Sequence, residues 1–264
     1  MHGASKSDWP IPQVSHRLPE NFTFARVTDV AALGPVFLRV SVESPNLSTH
    51  GDAAIHFRLV LPNILGSTAW PGVATNGSVK WEQGDDAPHR PVYTARSVDQ
   101  TNGTLIFDVF IHEGGRTTDW AQALQNGDQT RAVVGVLGPA GGGLMDAHRV
   151  ILAADETGFP AAARILENLP PDATGELLLE AQHGAACVYP LPKHAGFQVR
   201  WLSRSKGDEL GTATRQALPQ WQGANIWFAG EREQANAVRD AAIQAGWSKD
   251  QLRISGFWRA AAPE

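Results

Sequence analysis

The pattern of apolar residues changes near position 145, and this change most constrains what the chain can fold into. Up to residue 138 the apolar residues fall in short runs: Phe22 to Val30, Val36 to Val42, Ile55 to Leu61, Val92 to Val98, Leu105 to Ile111 and Arg131 to Leu137. Several alternate with polar residues, and Gly, Pro, Asn or Asp fill the intervals, as half-buried antiparallel strands require. Thr117, Thr118 and Asp119 precede Trp120, Ala121, Ala123 and Leu124, capping residues followed by helical spacing, so one helix interrupts the strands. After the glycine-rich stretch from Leu137 to Gly143, strands (149–154, 176–181, 197–202, 225–229, 252–257) alternate with helices (157–168, 208–218, 231–245). Runs such as VILAA and IWFAG suit strands covered on both faces. The expectation is an α+β chain: a tail over 1–16, a β-barrel over 17–143 and an α/β domain with a parallel sheet over 144–264, the glycine run serving as a flexible turn between the domains.

Composition narrows the function. A net charge of −5 without a long Lys/Arg run argues against nucleic acid or an anionic membrane as partner. No stretch approaches the roughly 20 apolar residues that span a bilayer. The first residues carry no apolar leader, so the expected compartment is the cytoplasm. Cys187 is the only cysteine. That excludes an intrachain disulfide, a Cys-x-x-Cys pair and an iron–sulfur cluster held by cysteines of one chain, so an organic cofactor must carry any electrons. Cys187 itself reads as a small buried apolar residue, no metal site is expected, and the expected partner of a monomeric chain is a small molecule.

Four segments carry chemistry. In YTAR, Tyr93 can stack on a flavin ring, Thr94 can hydrogen-bond near its N5, and Arg96 can meet a phosphate. HEGGRTTDWA, from His112 through Gly115, Thr117 and Thr118 to Trp120, runs from a strand end into a helix start whose N–H groups and dipole suit a diphosphate. Asp155, Glu156, Thr157 and Pro160 form a polar turn between an apolar strand and an amphipathic helix, where a nucleotide phosphate can sit. Ser203 and Arg204 end the strand WLSR, offering a hydroxyl and a guanidinium.

Together these segments resemble the siderophore-interacting protein family, flavoproteins on the ferredoxin-reductase plan. The resemblance runs through HFRLVLP at 56–62, YTAR, FDVFIHEGGRTTDWA at 107–121, GPAG at 138–141, LAADETGFPAAARILENLP at 152–170, WLSR, WFAGE at 227–231 and SGFWR at 255–259. It implies a Greek-key split barrel holding FAD, an NAD(P)H-binding α/β domain, and reduction of Fe(III) in a bound siderophore so that ferrous iron is released. It assigns Tyr93, Thr94, His112, Gly115, Thr118 and Trp120 to the flavin side, the turn from Asp155 to Pro160 to the nucleotide, and Gly230 and Glu231 to the nicotinamide side. Where the family has an arginine two residues before the tyrosine this chain has Pro91, so the FAD-phosphate contact is expected from Arg90. Ser203 and Arg204 predict a preference for NADPH, with NADH as the other donor. Arg259, with Trp258 and Lys80, is expected to meet the siderophore. Two rivals share some features: a flavin or ferredoxin-type reductase without a siderophore pocket, and a sugar-binding module built on the nine tryptophans.

Overall fold

Between Val92 and Asp99 the chain crosses from one edge of a sheet to the other. The computed structural model describes residues 12–47, 54–61 and 69–260. Its first half runs β1 (Phe22–Ala32), β2 (Phe37–Glu43), β3 (His56–Val60), β4 (Gly72–Val73), β5 (Val79–Lys80), β6 (Val92–Thr94), β7 (Ser97–Asp99), β8 (Thr104–Phe110), α1 (Arg116–Gln125) and β9 (Val133–Leu137). Seven of these strands form one sheet in the order β6-β3-β9-β1-β2-β8-β7, while β4 and β5 make a separate hairpin. β6 and β7 stand at opposite ends of that order, yet only Ala95 and Arg96 separate them. Ala95 N donates to Ile55 O at 2.9 Å, beside β3, and Arg96 N to Ile106 O at 2.7 Å, on β8. So short a step can join both edges only if the sheet curls into a barrel. The single strand expected over Val92 to Val98 is therefore two.

The barrel follows from the alternation that marks its strands. β2 buries Phe37, Leu38, Val40 and Val42 and leaves Arg39, Ser41 and Glu43 less covered. Its Arg39 forks onto Asp108 of β8, Nε to Oδ1 at 2.8 Å and Nη2 to Oδ2 at 2.9 Å, which pairs a fully buried carboxylate. In the antiparallel pair β3–β6, His56 faces Thr94 and Phe57 faces Tyr93. α1 buries Trp120, Ala121 and Leu124, and the Trp120 ring stacks on Phe107 with 6.4 Å between centroids. Burying each such aromatic contributes on the order of 2–3 kcal/mol. The glycine run is no free turn: Ala140 N donates to His56 O, His56 N to Gly141 O and Ile55 N to Gly142 O. Gly142 has φ +68°, and a Cβ there would lie 2.1 Å from the His56 ring, so backbone and space both require glycine.

The second half runs β10 (Arg149–Asp155), α2 (Phe159–Asn168), β11 (Thr174–Ala181), β12 (Phe197–Ser203), α3 (Leu210–Ala217), β13 (Asn225–Glu231), α4 (Arg232–Gln244) and β14 (Leu252–Trp258). The strands form a parallel sheet in the order β12-β11-β10-β13-β14. The chain starts in the centre, works outward to β12 and returns to place β13 on the other side of β10. The order thus reverses between β10 and β13, and sheets of this kind bind ligands beyond the carboxyl ends of the strands at that reversal. Ile151, Leu178, Ile226 and Phe228 of the strands share a core with Leu210, Ala213 and Ala217 of α3 and with Ala235, Val238 and Ala242 of α4. α2 buries Ala161, Ala162, Ala163, Ile165 and Leu166, the continuous small apolar face its sequence carries. Two compact units result, one of residues up to 31, 39–109 and 113–143, the other of 32–38, 110–112 and 144 onward. No helix among the described residues is long and apolar enough to cross a membrane.

Candidate functional site

In the first unit, α1 is tied to the strand end that carries the tyrosine. Tyr93 is largely buried, its ring 5.4 Å from Phe107, and its hydroxyl is hydrogen-bonded to that of Thr117 in the first turn of α1. Burial pushes the Tyr93 hydroxyl up to about 12, and the Thr117 bond offsets only part of this. Thr117 Oγ1 also lies 3.1 Å from Nε2 of His89. Burial, and then the charge of Arg116, hold the His89 imidazole below its ordinary value. Thr117 therefore faces inward, and Thr118 is buried too. Thr94, the group expected beside flavin N5, is buried, and its hydroxyl meets His56 Nδ1 at 3.2 Å. Trp120 donates Nε1–H to Arg131 O at 3.1 Å. Lys80 is exposed on the β4–β5 hairpin. His112, which the contacts group with the second unit, is exposed with its ring 5.9 Å from Phe110. Arg96 sits at the crossing between β6 and β7.

His89 carries no motif that marks it in the sequence. It occupies Pro88-His89-Arg90-Pro91, where two prolines favour an extended backbone, and that is the available signal. The same segment answers whether a diphosphate group fits. Arg90 lies over the Trp81 ring, 4.6 Å from its centroid, and its Nη1 is buried without a hydrogen-bond partner among the described residues. A buried guanidinium N–H left unpaired is costly, so an anion there would satisfy it. The first turn of α1 is capped by Gly115, which has no side chain to accept from it, and a helix start of this kind suits an anion. The His89–Thr117 bond joins the Arg90 segment to that turn. These donors fit the diphosphate of FAD.

In the second unit the turn after β10 and the turn after β13 flank the reversal of the sheet. Asp155 is buried; its Oδ1 accepts from Thr157 N at 2.9 Å and Thr157 Oγ1 at 2.5 Å, and its Oδ2 from Trp258 Nε1 at 2.6 Å. Burial pushes the carboxyl up to about 6, against the hydrogen bonds from Thr157 and Trp258. Thr157 thus closes the turn on Asp155, while Gly158 caps α2 and Pro160 stands in its first turn. Glu156 and Glu180, both buried, receive the guanidinium of Arg204: Nη2 on Glu156, and Nη1 on Glu180 at 2.8 Å. Glu180 Oε2 accepts from Leu210 N at 2.5 Å, capping α3. Arg204 is therefore held by two carboxylates, partners that the residue type at a strand end does not announce. Ser203 Oγ meets Ser205 Oγ at 3.0 Å and Gln182 O at 3.3 Å. Glu231 caps α4 by accepting from Glu233 N and Gln234 N, and Ala260 N reaches its other oxygen at 3.3 Å. Burial opposes its charge, yet the backbone N–H groups of Gln234, Ala260, Glu233 and Arg232 hold the carboxyl below its usual range. Beside it lies a cleft of about 680 Å³ lined by Gly211, Arg215, Glu231, Glu233, Gln234, Trp258 and Arg259, among others. Trp258 and Arg259 are exposed there, Arg259 lying 3.6 Å from Glu233 in a pair open to solvent. Cys187 is a free buried thiol, its pKa raised chiefly by burial. No cluster of His, Cys, Asp and Glu among the described residues could hold a metal ion.

Residues 26–143 match the family model described as the siderophore-interacting FAD-binding domain, and residues 147–261 match the model described as siderophore-interacting protein. The chain belongs to the siderophore-interacting protein family. Its fold is that of the solved siderophore utilization protein from T. fusca, at 26% identity and a TM-score of 0.71, covering 94% of this chain and 96% of that one. The NADPH-dependent ferric-chelate reductase of Escherichia coli is 28% identical over 199 residues, 72% of this chain and 74% of the relative. The mycobactin import ATP-binding/permease protein IrtA of Mycobacterium tuberculosis is 25% identical over 245 residues, which cover 89% of this chain and 26% of IrtA. The chain thus spans about a quarter of that relative's length.

Proposed function

We propose that this member of the siderophore-interacting family is an FAD-containing reductase that takes electrons from NADPH or NADH and delivers them to Fe(III) in a siderophore. The observation that carries the reading is one chain in which a barrel matched by an FAD-binding model is followed by a parallel sheet with its reversal at β10 and β13. The Arg90 N–H, unpaired among the described residues, and the first turn of α1 support diphosphate binding, and Tyr93 supplies a flat aromatic surface beside them. When bound, FAD would supply the change from a two-electron donor to the one-electron step that Fe(III) accepts. The E. coli relative, named as a ferric-chelate reductase, supports the choice of acceptor.

The turns at Asp155 to Pro160 and at Gly230 and Glu231 would frame the dinucleotide. Arg259, exposed beside Trp258, would attract an anionic siderophore that the net charge of −5 otherwise repels, with Lys80 as a second cation. The reading also makes the chain a cytoplasmic monomer with its domain boundary near residue 143. The purified protein should be yellow and release FAD on denaturation. With NADPH or NADH it should reduce ferric hydroxamate or catecholate complexes, the Fe(II) being trapped by a ferrous chelator. A protein that takes up no flavin when incubated with FAD, or one that reduces dyes but no ferric siderophore, would count against the proposal.

A further inference from the structure

Asp155 ends β10 and Trp258 ends β14, two strands that do not touch because β13 lies between them. The Asp155 carboxylate crosses the intervening strand at Gly230, where an added Cβ would stand 3.2 Å from Oδ2. Glycine keeps that path open. Oδ2 then accepts the 2.6 Å bond from the indole, while Oδ1 is fixed from behind by Thr157.

The two partners differ in exposure. Asp155 is 3% exposed and Trp258 42% exposed, so the carboxylate is hidden while the indole it grips faces the cleft beside Arg259 and Gly211. A hydrogen bond to one edge of an indole fixes the rotation of the ring, and a fixed aromatic plane costs less entropy when a second flat ring settles on it. The wall lies at the carboxyl ends of the strands beside the reversal, where dinucleotides bind sheets of this order.

We infer, on the basis of the dinucleotide part of the function proposed above, that Asp155 is a positioning residue, whose bond across Gly230 holds the Trp258 indole as the wall on which the nicotinamide ring of NAD(P)H rests. Binding of NADP⁺ to the purified protein by titration calorimetry tests this, with thermal unfolding followed on the same samples. Asp155→Ala should raise the Kd about tenfold, the scale of one lost hydrogen bond to a charged group. Asp155→Asn keeps an acceptor for the indole N–H and should stay within about threefold of the parent. Trp258→Phe, on the exposed edge, keeps a ring but removes the donor and should itself weaken binding. In that background Asp155→Ala should add nothing, because the two residues act through one bond.

A purely structural role would lower the unfolding midpoint without this pattern in Kd. An unchanged Kd in Asp155→Ala, an asparagine variant no better than the alanine one, or additive effects in the double variant would overturn the inference while leaving the reductase reading intact. If the unaltered protein binds neither NADP⁺ nor NADH, the dinucleotide part of that reading falls and the inference with it.

Discussion

Arg204 donates Nη1–H to Glu180 Oε1 at 2.8 Å, and the other oxygen of the same carboxylate accepts from Leu210 N at the start of α3. One buried carboxylate thus joins the guanidinium at the end of β12 to a helix N-terminus, and Glu156 completes the arrangement on the second guanidinium nitrogen. Buried acidic pairs are tolerated only when a cation and hydrogen bonds satisfy them.

Arg204→Ala should therefore act on stability. It leaves two buried carboxylates without their cation, a loss of about 3–5 kcal/mol. Thermal unfolding should show a fall of roughly 10 °C. The ratio of catalytic efficiencies with NADPH and NADH should change by less than about twofold, because the guanidinium is already engaged by Glu156 and Glu180, whereas losing a charged phosphate partner would cost more than that. A collapse of NADPH preference in a variant of unaltered midpoint would restore the phosphate role that the residue type suggests.

The difference between these two roles for Arg204 shows what the sequence can carry. Arg204 is recognisable as a cation at a strand end, but its partners Glu156 and Glu180 lie 48 and 24 residues away and are brought to it only by the pairing of β10, β11 and β12. The same limit applies to the barrel. Alternation reveals β2 and β8 because each buries alternate residues against one core. It cannot reveal the break at Ala95 and Arg96, since nothing local distinguishes a continuous strand from one whose halves pair with opposite edges. β4 and β5, each of two residues, are too short for a period to register. The runs VILAA and IWFAG fared better, because burial on both faces needs no partner to be identified. Among site residues, the turn Asp155–Thr157 was legible as a turn, whereas the reach of Asp155 to Trp258 depends on Gly230 being the residue in between.

Tyr93 should resist ionisation. Burial sets its hydroxyl at about 12, so at pH 10.5 it stays protonated while an ordinary tyrosine, with a pKa of about 10, is mostly phenolate. The chain has two tyrosines, Tyr93 and Tyr189, which makes the measurement simple in Tyr189→Phe. Difference absorbance of that variant near the phenolate band should stay flat to pH 10.5 as long as circular dichroism shows the fold intact. A full phenolate signal from folded protein at that pH would mean that Tyr93 is open to solvent.

Asp155 gives the last prediction, a dependence of stability on pH. Its carboxyl rises from an ordinary 3.8 to about 6 in the folded protein. Between those values the folded chain keeps a proton that the unfolded chain has released, so the native state binds more protons and stability must fall as pH rises. The contribution is fully lost above about pH 6 and amounts to at most about 3 kcal/mol, since each pH unit that separates the folded and unfolded values is worth about 1.4 kcal/mol. Other carboxylates titrate in the same range, so the comparison has to be made within a pair of proteins. Urea midpoints of the parent and of Asp155→Asn, taken at pH 4.5 and at pH 7, isolate the group, because asparagine cannot titrate. The parent should lose more stability than the variant, or gain less, on going from the lower pH to the higher. The Thr157 hydroxyl, the Thr157 N–H and the Trp258 N–H all donate to the carboxylate and favour its charged form, so burial carries the rise against them. Thr157→Val removes one of the hydrogen bonds that hold the carboxyl down, so it should widen the pH dependence as well as weaken the turn. Parallel stability–pH curves for parent and Asp155→Asn would show that the carboxyl ionises as an exposed one does.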